Sequence, residues 1–184
     1  MRVYISADIE GVTGLVSWKT CGQSDAQHPD FAFARRMMTH DVNAAIRGAR
    51  EAGATQIVVK DSHGTSRNLF IDELEPGVDL ISGSGAHGDG MMTGVGEGFD
   101  CAMLIGYHAM ASAPEGVMEH TITGTVHRLT VCGIPAGEML LSAMAAGLHG
   151  VPIVTVSSDN AGCREGRGLV SGVETASVKT GYGR

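Results

Sequence analysis

Clustered positive charge is the plainest thing this sequence lacks. Its 13 Lys and Arg residues face 20 Asp and Glu, for a formal net charge of -7. Holding a phosphate backbone takes grouped basic side chains, so nucleic acid is excluded as a partner. No apolar run approaches the ~20 residues that span a bilayer, which excludes a membrane helix. The start Met-Arg-Val enters an apolar stretch directly, without the pattern of a signal segment, so the expected location is cytoplasmic. The four cysteines, Cys21, Cys101, Cys132 and Cys163, include no CxxC pair. That spacing makes no zinc knuckle and demands no disulfide framework, and thiols in a reducing cytosol are expected. Aromatic residues make up only 4% of the chain. There is no GxSxG elbow to present a serine nucleophile, and Ser62 beside His63 cannot form a triad by adjacency. "GSGAHG" (Gly83 to Gly88) fits GxGxxG, but "DGMMTGVGEG" follows where the dinucleotide fingerprint requires a helix, so no cofactor-binding loop is assigned.

What is present is the alternation of an α/β protein. An apolar stretch at residues 2 to 8 reads as a strand, followed by a polar loop with Gly11, Gly14 and Gly22. Helical spacing of Phe33, Met37, Val42, Ala45, Ile46 and Ala49 predicts a helix from about Asp30 to Ala52, stopped by Gly53. Ile57 to Val59, Val78 to Ser82, Cys101 to Gly106, Val151 to Val156 and Ala176 to Lys179 read as further strands. Thr125 to Cys132 reads as one arm of a hairpin turning at Gly133, Ala136 to Leu148 as a helix, and a short helix is expected near Arg164. Strands alternating with helices predict an α/β fold with a mixed, largely parallel sheet flanked by helices, over a single domain of residues 1–184. The last strand ends in "KTGYGR" with no helix after it, so a partner subunit or further chain is expected to cover that side of the sheet.

Acids and imidazoles gather where these strands end. Asp8 and Glu10 follow the first strand and point the same way, because side chains alternate along extended chain. Two neighbouring carboxylates at a buried strand end are costly unless a cation or donors compensate. His63 follows the second strand, in "KDSHG", and His108 follows "CAMLIGY". In open α/β sheets ligands sit beyond the carboxyl ends of the strands, so these elements converge on one crevice. Two carboxylates with two imidazoles suit zinc or a similar divalent ion. Taken singly, each such residue is as readily a helix cap or turn residue, and Asp61 reads as a cap for the turn at Gly64. Glu138, near the start of a helix, joins the ligand candidates, although a carboxylate there also suits the helix dipole. His120, in "GVMEHTITG", lies in a loop, and His28, His40, His87, His127 and His149 read as exposed loop histidines.

Together "SADIEGVTG", "KDSHG", "IGYHA", "GVMEHT" and "PAGEM" resemble the zinc-dependent D-aminopeptidases of peptidase family M55, the DppA type, with the motifs in that family's order over the whole chain. The resemblance implies a hydrolase removing an N-terminal D-amino acid, typically D-alanine, from short peptides through a water activated by two zinc ions. It also implies a ring-like homo-oligomer, a decamer among the possible sizes. Carried over motif by motif, Asp8 bridges the two ions, Glu10, His63, His108 and Glu138 are the other ligands, and His120 is the catalytic histidine. Oxyanion stabilisation or protonation of the leaving amine is the favoured role for His120 over direct attack. Members of the family continue with a further α/β segment. Two other readings remain: a two-metal phosphoesterase, with Arg67 and Lys60 as its nearby cations, and a non-catalytic, metal-retaining peptide-binding or ring-forming protein.

Overall fold

A computed structural model describes residues 1–21, 29–83 and 88–183. Gly22, His28, His87 and the centre of the "GSGAHG" motif lie outside the described residues. Six parallel strands form the main sheet: β1 (Arg2–Ala7), β2 (Gln56–Asp61), β3 (Asp79–Ile81), β4 (Cys101–Ile105), β7 (Ile153–Asp159) and β8 (Glu174–Lys179). Their spatial order is β3-β2-β1-β4-β7-β8. Antiparallel pairing among named strands is confined to a separate two-residue ladder, β5 (Thr130–Val131) with β6 (Ile134–Pro135). The hairpin arm expected from Thr125 is therefore much shorter than its composition suggested. Gly124 and Thr125 are exposed, and so are His127 and Arg128, so no apolar face exists there to hold a longer ladder.

Alternation along β1 sorts its side chains between two cores. Val3, Ile5 and Ala7 face α1 (Pro29–Glu51) and pack with Ala34, Met38, Val42 and Ile46 of that helix. Tyr4 faces the opposite side, where Leu104, Val156 and Met139 of α2 (Glu138–Leu148) meet. The buried stripe of α1 runs through Ala34 and Met38 rather than Phe33, which is 39% exposed and lies against the loop at Gly14. The short third helix, α3 (Asn160–Leu169), begins at Asp159, whose side chain accepts the Gly162 N–H at 2.7 Å. On the α1 side of β7 and β8 the sheet carries a groove of about 270 Å³ lined by Met103, Thr155, Ala176 and Val178 among others, where the sequence led us to expect exposed surface.

Because every strand of the sheet is parallel, all their carboxyl ends lie along one edge. The strand order reverses between β1 and β4, and the loops leaving these two strands touch there. Gly11 N–H donates to Gly106 O at 2.7 Å, and Asp8 N–H donates to Ile105 O at 2.8 Å. A Cβ on Gly11 would lie 1.7 Å from Tyr107 O, and one on Gly106, where φ is +71°, would lie 2.4 Å from Asp8 O. Only glycine permits that approach. Gly11→Ala is expected to cost about 3 kcal/mol or more, the upper part of the overpacking range. Gly168→Ala on α3, where a Cβ meets nothing within 4 Å, is expected to be neutral or slightly stabilising. Urea unfolding of the two variants checks the contrast.

Candidate metal centre

The reversal point brings all six sequence-predicted residues together. Asp8 and Glu10 lie on the loop after β1, His63 just after β2 and His108 just after β4. Glu138 opens α2, and His120 comes from the long loop between β4 and β5. All but His63 are buried, and His63 is nearly so. His63 Nε2 lies 3.2 Å from Glu10 Oε1, His108 Nε2 lies 3.3 Å from Glu138 Oε1 and 3.5 Å from Asp8 Oδ2, and His120 Nε2 lies 3.6 Å from Glu138 Oε1. One ligand atom from each of Asp8, Glu10 and His108 falls within 4.8 Å of the others, and so does one from each of His108, His120 and Glu138.

Each imidazole is oriented by what its other nitrogen touches. His108 Nδ1 donates to Ala109 O at 3.0 Å, and His120 Nδ1 donates to Met118 O at 3.1 Å. His63 Nδ1 faces Asn68 Oδ1 at 3.4 Å. Such partners fix the proton on Nδ1 and aim the Nε2 lone pair into the acid cluster, the arrangement of a metal-ligating histidine. Asp8 Oδ2, Glu10 Oε2 and His108 Nε2 are buried and have no hydrogen-bond partner among the described residues. Buried polar atoms normally have one. A divalent cation would satisfy all three, so this donor set fits zinc.

The electrostatics show how crowded the cluster is. Burial is the largest influence on the Asp8 carboxyl and raises it well above the usual carboxylate range. Glu10 and Glu138 add to the rise, while His108 and His63 oppose it. Burial pushes Glu10 up too, but His63, His108 and His120 outweigh it and hold that carboxyl below its ordinary value. On Glu138 burial is likewise outweighed, by His108 and by the Ile122 N–H, and its carboxyl is lowered. Burial works against charge on the imidazoles, yet Glu10 lifts His63 to about 9, and Glu138 with Asp8 lifts His108 to about 10. His120 goes the other way, lowered by burial and by the neighbouring His108. The two rings are stacked, with centroids 3.8 Å apart.

Several supports gave no sign in the sequence. Asp61, expected to cap the turn at Gly64, instead accepts the N–H groups of Asn68 and Leu69 and the Asn68 amide, at 2.5 to 2.9 Å. It thereby fixes the residue that faces His63. Lys179, at the end of β8, donates to the carbonyls of Glu10, Val12 and Leu15 at 2.5, 3.1 and 2.6 Å. Burial pulls its ammonium down to about 8 against the attraction of Asp159, Glu10 and Asp41. Glu138 Oε1 accepts the N–H of Ile122 at 2.6 Å, and Ile122 holds φ at +62° to present it. A β-branched residue in that region is strained by roughly 1–3 kcal/mol. The only signals available were a Lys after an alternating strand and an isolated Ile between two threonines.

The acids open into a cavity of about 490 Å³ lined by Asp8, Glu10, His63, His120 and Glu138, with no Lys or Arg on its wall among the described residues. Lys60 is buried with its ammonium on Asp61 O and Ser66 Oγ, and Arg67 is exposed away from the cavity. A phosphate-handling site wants cations at that wall, so the phosphoesterase reading is not favoured. His127 and His149 are exposed, as expected; His40 is exposed too, but it lies on α1 and not in a loop, because the apolar spacing carries the helix through it.

Three comparisons with known proteins agree with one another on family and fold. The sequence matches the family described as D-aminopeptidase (Peptidase_M55) over residues 1–184. A curated D-aminopeptidase of Bacillus subtilis (strain 168) is 36% identical over 179 residues, which is 97% of this chain and 64% of that protein. A solved structure of the Zn-dependent D-aminopeptidase DppA from Bacillus subtilis, a self-compartmentalizing protease, superimposes with a TM-score of 0.92 at 36% identity, covering 100% of this chain and 65% of that one. This chain therefore spans slightly less than two thirds of the length of these relatives. With the family model matched over its whole length and a relative 36% identical, the chain belongs to the D-aminopeptidase family M55.

Proposed function

We propose that this chain is a zinc-dependent aminopeptidase that removes an N-terminal D-amino acid, of the D-alanine type, from short peptides. In this reading Asp8, Glu10, His63, His108 and Glu138 would hold two zinc ions, with Asp8 serving both, and His120 would be the catalytic histidine. One observation carries it: two carboxylate oxygens and an imidazole nitrogen, all buried, have no hydrogen-bond partner among the described residues at the strand-order reversal. Two divalent ions held there would polarise a peptide carbonyl and bring the pKa of a water from 15.7 toward ~7.

The chain's own residues supply the rest. The cavity admits the N-terminal residue of a peptide, which places the first peptide bond beside His120. His120 donates through Nδ1 to Met118 O, so its Nε2 is a proton acceptor in the resting site. It takes a proton as attack proceeds and hands it to the departing amine, the sequence that general acid–base catalysis requires. His108, fully buried and between Asp8 and Glu138, has no path to the leaving group and is left to ligation. The self-compartmentalizing character of the solved relative supports a ring-like homo-oligomer, with a decamer as the proposed size. Three buried cysteines, with no disulfide among the described residues, suit the cytoplasm.

Zinc-loaded protein offered D-Ala-D-Ala, L-Ala-L-Ala and a phosphate monoester separates the readings. Cleavage of the D-peptide alone is expected. Phosphate release would instead revive the phosphoesterase, and inertness toward all three would leave a binding protein. Elemental analysis is expected to find two zinc ions per chain and loss of both in Asp8→Ala, because a bridging carboxylate serves each. Undiminished metal in that variant would sink the bridging assignment. His120→Ala should keep its metal while kcat falls by ~10² or more, the scale for losing a positioned proton carrier. Its Nε2 does share the ligand spacing of His108 and Glu138. If metal disappears along with activity, His120 is a ligand and the catalytic role is wrong.

A further inference from the structure

His120 stands on the wall between two cavities. One is the acid-lined cavity already described, and the other is a groove of about 560 Å³ on its far side, walled by Val16, Trp18, Met118, Val126, Ser112 and His127 among others. Volumes of this size suit small ligands. The groove has an apolar floor that remains open to solvent: Trp18 is 47% exposed and Val16 70% exposed. Trp18 is the only tryptophan of the chain. A 3-10 turn at Trp18–Thr20, capped by Ser17, holds it, and its ring meets His120 edge-on with centroids 4.8 Å apart. A large aromatic in contact with the catalytic histidine, yet half open to water, is placed to touch substrate rather than to fill a core.

We propose that this groove is the subsite for the residue on the leaving side of the scissile bond, and that Trp18 selects a bulky apolar side chain there. The inference rests on the aminopeptidase reading and fixes which way the peptide lies. The cavity that would hold the metal ions takes the scissile carbonyl and the N-terminal residue, while the groove's own carboxylate, Glu119, already accepts the Ser112 N–H at 2.8 Å. The scissile bond then lies at His120, the one histidine common to both cavities, and chain beyond the bond continues over Trp18 and Val16. On the opposite wall Ser112 Oγ is already engaged by His127, through its Nδ1 and its carbonyl at 3.1 and 3.0 Å, which leaves the apolar side as the selective surface.

The test compares D-Ala-L-Phe with D-Ala-Gly on the zinc-loaded protein. The wild type is expected to favour D-Ala-L-Phe in kcat/KM by about 10-fold or more, the scale of apolar-pocket discrimination. Trp18→Ala should erase that preference, bringing D-Ala-L-Phe down to the level of D-Ala-Gly mainly through KM, and be rescued by Trp18→Phe. An equal fall in kcat for both peptides would make Trp18 a positioning residue for His120 and overturn the subsite, as would no change for either. Intrinsic fluorescence gives a readout that needs no turnover, because Trp18 is its only tryptophan source. Non-hydrolysable aminomethylene isosteres of the two dipeptides are titrated against it. Saturable quenching by the Phe isostere at about 10-fold lower concentration than by the Gly isostere supports the groove, and equal responses overturn it. If neither dipeptide is cleaved while the Phe isostere still binds selectively, the hydrolytic reading fails and the subsite stands.

Discussion

Three buried carboxylates gathered around the same imidazoles are the constraint that organises this protein. Asp8, Glu10 and Glu138 sit where parallel strands end, out of reach of bulk water, and mutual repulsion would expel them unless something held them. Their shifts expose the imbalance. Glu10 is lowered because His63 is at its side, whereas Asp8 is raised because burial and two neighbouring acids act on it together. Two imidazoles pulled toward the charged state cannot fully neutralise three acids. Divalent ions in that position would replace the imidazolium charge as well as add to it, releasing His63 and His108 to bind as neutral ligands.

Much of the surrounding chain serves to keep those acids where they are. The loop after β1 is tied from three directions. Gly11 hydrogen-bonds the loop after β4, Asp41 of α1 accepts the Thr13 N–H at 2.8 Å and its hydroxyl at 3.0 Å, and Lys179 gathers three carbonyls from β8. The loop carrying His120 is tied from α3: Asp159 accepts the Val117 N–H at 2.5 Å, and Glu165 accepts the Met110 N–H at 2.7 Å. Placing ligands on loops while anchoring each loop to a separate helix or strand gives the precision that ligand geometry demands.

The parts legible in the sequence are those whose signal is local. β1, β2, β4 and β7 are short apolar runs bounded by Gly, Asp or His, and a parallel sheet buries such runs on both faces. Because ligands of such sheets cluster beyond the strand ends, Asp8, Glu10, His63 and His108 were readable as one site once the strands were placed. Illegible features depend on contacts between distant residues. Lys179 meets Glu10 across 169 positions, and no periodicity records that. The positive φ of Ile122 is imposed by Glu138, against the residue's own preference. The hairpin before Glu138 failed in the opposite direction: Thr125 to Leu129 have strand-like composition but no surface to pair with, so tertiary context overrode propensity.

In the proposed reading the stacked pair His108 and His120 takes two roles within one cluster. Both rings give Nδ1 to a main-chain carbonyl and aim Nε2 at the same Glu138 oxygen, at 3.3 and 3.6 Å. With centroids 3.8 Å apart they cannot comfortably carry charge together. Environment decides between them. His108 is enclosed by Asp8 and Glu138 and is held toward the protonated form, while His120 is nearer the cavity mouth, edged by Trp18 and pressed by its neighbour toward neutrality. Pairs of like groups whose surroundings drive them apart mark the division of labour in acid–base sites. Here the division follows solvent access: the enclosed ring suits a ligand, and the ring between the two cavities can reach a substrate and return its proton.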